Sequence, residues 1–171
     1  MTAEVVISIA SLIVAFAALI FSITSFNRQQ DRAEVHARAS VKPLLSVRSQ
    51  TYTDLKSIRL FNYGVGPAII KKAEFRRGPE GPPTNSIVKL FALDIVWESF
   101  VNVVPNRAIP VEGEIVLIKQ SLSHLQSQGY TQDAALSLLH QWQQQKTGIV
   151  VRIEYEDIYG NQMPELEETL A

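Results

Sequence analysis

The chain has 171 residues, with 16 basic against 17 acidic side chains, a formal net charge of −1 and no cysteine. That near-neutral balance leaves no electrostatic footprint for nucleic acid. Without thiols there is no disulfide framework, no thiolate nucleophile and no cysteine-based zinc site.

The first element is an apolar run from Val5 to Phe26 that contains no charge, proline or glycine. A helix of that length reaches about 33 Å, enough to cross a hydrocarbon core of about 30 Å. In lipid an isolated apolar segment satisfies its backbone polar groups only as a helix. Residues 5–26 are therefore predicted to form a transmembrane helix behind a short extracytoplasmic N-terminus, residues 1–4. Ala15-Phe16-Ala17 resembles a signal-peptide cleavage site, but Met1–Glu4 has no Lys or Arg and the apolar run continues well past Ala17. Both features favour an uncleaved anchor. Arg28, Arg32, Arg38 and Lys42 follow the run and no basic residue precedes it. Positive flanks stay in the cytoplasm, which puts the N-terminus outside and the remaining chain inside.

Small residues recur in this run with a seven-residue period. Ser8, Ala15 and Ser22 alternate by three and four with Ser11, Ala18 and Ser25, which stacks the six along one helix face. Small side chains let helix backbones approach closely in lipid, and the period implies a left-handed crossing. The expected partners are the lipid bilayer and, through this face, a second copy of the chain or another membrane protein. Residues 27–42 read as a helical juxtamembrane stalk, with Arg28 and Arg32 placed to touch headgroups. Lys42-Pro43 ends it, because the residue before proline is pushed out of the α region.

From 43 to 171 the pattern becomes that of a soluble β-rich domain. Strands are predicted at Leu44–Arg48, Ser57–Tyr63, Ala68–Phe75, Gly113–Ile118 and Ile149–Glu156, with a short return strand at Gln162–Leu166. The clearest is Ile149–Glu156, with Ile149, Val151, Ile153 and Tyr155 on one face and Arg152, Glu154 and Glu156 on the other. Strands at this spacing suggest an antiparallel sandwich. Ile87–Val104 is apolar but carries Lys89, Asp94 and Glu98, and its pattern fits a helix and strands equally well. Residues 121–147 read as a helical insertion, with Thr131 as a cap and an apolar face at Leu138, Leu139 and Trp142. The fold class is accordingly an N-terminal transmembrane helix plus a mainly β, sandwich-like domain with a helical insertion.

Asn62-Tyr-Gly-Val-Gly-Pro-Ala68 is the most distinctive motif. A phosphate-cradling Gly-x-Gly loop needs a helix N-terminus directly after it, whereas a strand follows here. The reading is a structural turn made by Asn62, Gly64, Gly66 and Pro67, with the glycines at positive φ and Asn62 bonding the local backbone. Together with the early Pro-Leu-Leu-Ser-Val strand and Ile153-Glu-Tyr-Glu-Asp-Ile-Tyr-Gly160, this motif resembles a widespread group of bacterial membrane-anchored small β-sandwich proteins of unassigned function. The resemblance implies a bacterial inner-membrane location and carries no catalytic residues.

His36, His124 and His140 have no metal-ligand spacing, and no Ser/His/Asp set can be assembled. Glu154, Glu156 and Asp157, and the tail Glu165, Glu167 and Glu168, read as solvated carboxylates. No catalytic, cofactor or metal site is expected, and no cofactor. The expected function is a non-enzymatic, membrane-anchored interaction or assembly module, with Leu139 and Trp142 as a partner surface if that helix face is exposed. The alternative is an accessory subunit or small-ligand sensor of a membrane enzyme or transporter, with a pocket walled by Ile87–Val104.

Overall fold

The computed structural model of the chain describes residues 16–26, 28–29, 41–102 and 105–171. The chain divides into two compact units, Met1–Ser40 and Val41–Ala171. In the first, residues 16–26 and 28–29 are helical. Thr24 Oγ1 donates back to the carbonyls of Ile20 and Phe21, each at 3.0 Å. Among the described residues no helix is long and apolar enough to cross a membrane. The predicted span at 5–26 is therefore corrected: the fold is mainly β, with two antiparallel sheets and small helices. Residues 5–15, and most of the stalk at 27–42, lie outside the described residues.

Among its described residues the second unit has eight strands and two α-helices. These are β1 (Leu45–Thr51), β2 (Leu55–Asn62), β3 (Ala68–Arg77), β4 (Ser99–Phe100), β5 (Arg107–Ile109), β6 (Glu114–Ser121), α1 (Leu122–Ser127), α2 (Gln132–Lys146), β7 (Ile149–Glu156) and β8 (Leu166–Thr169). They form two four-stranded antiparallel sheets, ordered β1-β2-β6-β4 and β5-β3-β7-β8. Each inner face contributes alternate residues to one core: Ile58, Leu60 and Leu117 from the first sheet, Ile70, Phe75, Val151 and Ile153 from the second. Burying each of these side chains stabilises the fold by about 1.5–3 kcal/mol.

The segment that fitted helix and strands alike is mostly neither. Ile87–Leu90 is a single 3-10 turn, and regular pairing resumes only at β4. The segment is held by side chains: Ile87 is fully buried, and the Phe91 ring lies 5.4 Å from both Trp97 and Trp142. Return strand β8 starts at Leu166, the last residue of its predicted range, because Asp157 first stitches the turn before it. Its carboxylate accepts from the backbone of Tyr159 and Asn161 at 2.8 and 2.9 Å and from Asn161 Nδ2 at 2.8 Å.

The helical pair lies between β6 and β7. Ser121 caps α1 by accepting from His124 N at 3.2 Å, and Thr131 caps α2 by accepting from Ala134 N at 3.4 Å. A capping hydroxyl of this kind contributes about 1 kcal/mol. The buried face of α2 carries Ala135, Leu139, Trp142 and Lys146. Trp142 enters the main core and Leu139 a second cluster with Leu125 and Ala135.

Candidate functional site

A concave feature with a largely apolar lining lies where the edge strands of the two sheets meet, β1 from one and β8 from the other. It is a groove of about 530 Å³ whose apolar walls are Leu44, Leu45, Tyr155, Met163, Pro164 and Leu166, with Lys42, Gln162 and Glu165 at its rim.

The first wall is positioned by Asn62, which is fully buried at the end of β2. Its Oδ1 accepts from Leu44 N at 3.1 Å and Gly64 N at 2.9 Å. Its Nδ2 donates to the carbonyls of Gly66, Ile109 and Pro110 at 2.8, 3.2 and 3.2 Å. One amide thus ties together the approach to β1, the β2–β3 connection and the loop after β5. Gly64 and Gly66 sit where backbones nearly touch. A methyl group on Gly66 would fall 1.7 Å from the Val41 carbonyl oxygen, and one on Gly64 would fall 2.3 Å from Leu44 N. Neither glycine is among those at positive φ, so their role is close approach and not the left-handed conformation expected from the sequence. The connection carries the chain from one sheet to the other.

The second wall is the loop between β7 and β8. Met163 N donates to the Tyr155 carbonyl at 3.0 Å, which turns Met163 and Pro164 toward Leu45 and Tyr155. Glu165 is engaged by Arg152 in two hydrogen bonds. Arg76 pairs with Glu167 at 3.0 Å. Glu168 reaches across to the other sheet, where its carboxylate accepts from Val47 N at 3.0 Å. The tail carboxylates are therefore structural, in contrast to the solvated end suggested by composition. Glu156 pairs with Lys71 at 3.0 Å and Glu154 lies 3.8 Å from Lys72, on the outer face of β7.

Antiparallel pairing directs alternate residues outward from an edge strand. Tyr63 N donates to the Leu44 carbonyl, so Leu44, Ser46, Arg48 and Gln50 face β2 while Leu45, Val47, Ser49 and Thr51 face the outer edge. The contact from Glu168 to Val47 N agrees with this phase. β4, β5 and β8 are much shorter edges than β1. The groove accordingly opens on the longest of the four edge strands. Leu44, Val65, Ile158 and Tyr159 are exposed at the same end of the sandwich.

The residues singled out in the sequence are distributed as follows. Ser8, Ser11, Ala15 and Arg32 lie outside the described residues; Ala18, Ser22, Ser25 and Arg28 belong to the N-terminal helical segment. Asn62, Gly64, Gly66 and Pro67 form the turn that shapes the first wall. Leu139 and Trp142 are 1% and 0% exposed, which removes them as a partner surface: the protein's own core occupies that helix face. Leu44, Leu45, Met163 and Pro164 carried no sequence signal beyond strand start and turn. Among the described residues no three His, Asp or Glu side chains come together to hold a metal ion. Comparison with protein-family models, curated proteins and solved structures finds no match from which a family or function could be carried to this chain.

Proposed function

We propose that the chain is a non-enzymatic protein-interaction module whose β-sandwich receives an extended segment of a partner protein along the outer edge of β1. The observation that carries this reading is the coincidence of a long edge strand with an apolar groove beside it. Sheet edges are normally blunted by shortness, charge or covering elements. Three edges of this sandwich are short, whereas β1 is capped at Val47 by Glu168 and opens at Leu45 onto the groove. Strand addition draws affinity from main-chain hydrogen bonds and selectivity from pockets for alternate side chains. Leu44, Met163 and Pro164 favour an apolar side chain on the inserted segment. The expected membrane location rested on the span at 5–26 and forms no part of this reading.

A library of displayed extended peptides, selected on the full chain, tests it. Peptides with alternating apolar residues are expected, their binding abolished by backbone N-methylation at alternate positions. Leu44→Glu is expected to weaken them at least about tenfold, and Val96→Glu, which alters an exposed residue outside the groove lining, to leave them unchanged. Selected peptides indifferent to Leu44→Glu, or no selection at all, would exclude the groove as the site.

A further inference from the structure

A second depression of about 250 Å³ lies between the β1–β2 hairpin and the outer part of α2. Its walls are Thr51, Thr53 and Lys56 from the hairpin and His140 and Gln143 from the helix, over an apolar floor of Leu136 and Leu139. The helical spacing explains the second set: Leu136, Leu139, His140, Gln143 and Lys146 fall three and four apart, on one face. The strand pairing explains the first, since Thr51 lies directly opposite Lys56.

Lys146 stands behind this depression. It is 3% exposed, and its ammonium donates to Ser49 Oγ at 3.1 Å. Ser49 precedes Thr51 by two residues, on the same face of β1. No carboxylate among the described residues pairs with Lys146 or with Lys56, although six other Lys and Arg side chains have such partners. Burial pushes the Lys146 ammonium below its ordinary value, and the positive charge of Lys56 pushes it further the same way. Two cations that repel one another beside a pocket with no acidic lining make a site of the wrong charge for the free protein. A buried cation is costly unless paired.

We infer that the depression bounded by Thr51, Thr53, Lys56, His140 and Gln143 binds a phosphate dianion, free or carried on a small organic molecule. Lys56 supplies the direct charge contact, and Thr51 and Thr53 supply hydroxyl donors. Lys146 contributes its field from behind the wall, where low dielectric strengthens it. The pocket holds more than a phosphate group, and the partly exposed Leu136 offers an apolar seat to an organic remainder. This inference is independent of strand addition at β1, whose groove shares none of these residues.

Calorimetric titration of the full chain at fixed ionic strength tests it, using inorganic phosphate, glycerol phosphate and phenyl phosphate, with acetate as a monoanion control. Saturable phosphate binding is expected, weakened at least about tenfold in Lys56→Met. It should be unchanged in Lys71→Met, which alters a lysine paired elsewhere. Tighter binding of a monoester than of phosphate would support an organic phosphate as occupant, and equal binding would support free phosphate. Because Lys146→Met alters a buried residue, its loss of binding counts in support only if its unfolding transition stays cooperative; retained full affinity in that folded variant would overturn the role given to Lys146. Absence of saturable binding, or equal affinities in wild type and Lys56→Met, would overturn the site.

Discussion

Glu168 leaves its own sheet to accept a hydrogen bond from the main-chain N–H of Val47, 3.0 Å away on the edge strand of the other sheet. The contact closes part of the sandwich's open side with one carboxylate. A charged acceptor on a half-buried donor contributes about 1.5–3 kcal/mol. Glu168→Ala is expected to lower stability by about that amount and to free the middle of β1. Urea unfolding measures the first effect and amide exchange at Val47 the second. Unchanged exchange protection at Val47 would show that the carboxylate does not hold the edge.

Asn62 is a donor and an acceptor at once, and the two roles can be separated. Asn62→Asp keeps the acceptor toward Leu44 and Gly64 but sets a carboxylate oxygen against the carbonyls of Gly66, Ile109 and Pro110. The expected loss is about 3 kcal/mol or more, since a buried charge then faces three acceptors. It should exceed the loss in Asn62→Ala. The urea midpoints of the two variants decide; the reverse order would mean that the acceptor half of the amide dominates.

Gly66→Ala tests close approach against backbone conformation. With the methyl group 1.7 Å from the Val41 oxygen, the β2–β3 connection and the segment before β1 must separate. Destabilisation of about 2–4 kcal/mol is expected, well beyond the roughly 1 kcal/mol by which glycine and alanine differ through conformational freedom. At Gly129, with φ +94 and nothing within 4 Å of an added methyl, the loss should be the smaller conformational one. Equal losses at the two positions, read from thermal unfolding, would remove the close-approach account.

Lys146 predicts a pH dependence of definite sign. Burial first, and Lys56 second, hold its folded-state value below 10.5. Between that lowered value and 10.5 the unfolded chain binds more protons than the folded one, so stability contributed by this group rises with pH across the window. Below the window its penalty is fully present. Lys146→Met should remove the slope and raise stability at neutral pH by about 1 kcal/mol. Urea midpoints of wild type and variant at several alkaline pH values check it, and parallel curves would contradict it.

Strands with one buried face were legible before any coordinates, Ile149–Glu156 above all, because alternation records which side chains point inward. The same logic reached the apolar face of α2, though not its destination, since periodicity distinguishes a buried stripe from a polar one but not core from interface. Ile87–Val104 resisted because Ile87, Phe91 and Trp97 hold it by packing, and packing leaves no period. The N-terminal run reads as a span on hydropathy and length alone, and among the described residues no helix is long and apolar enough to cross a membrane. Neither candidate site could be read locally. Lys56 meets α2, and Leu45 meets Met163, only through tertiary pairing of distant segments, and each alone is an ordinary strand or turn residue.

The strand order has a kinetic consequence. Among the described residues only β1–β2 and β7–β8 join strands adjacent in the chain; β2–β6 and β3–β7 close long loops, the latter around β4 to β6 and both helices. Such loops must close before their contacts contribute, and sheets of this kind fold in about milliseconds to seconds. Local pairing is expected to precede non-local pairing, which would leave the β2 flank bare until β6 arrives and the β1 flank bare until β8 brings Glu168. Unpaired strand flanks of this kind are where a folding chain is open to aggregation, so the risk lies in the order of pairing and not in the depth of the final energy minimum.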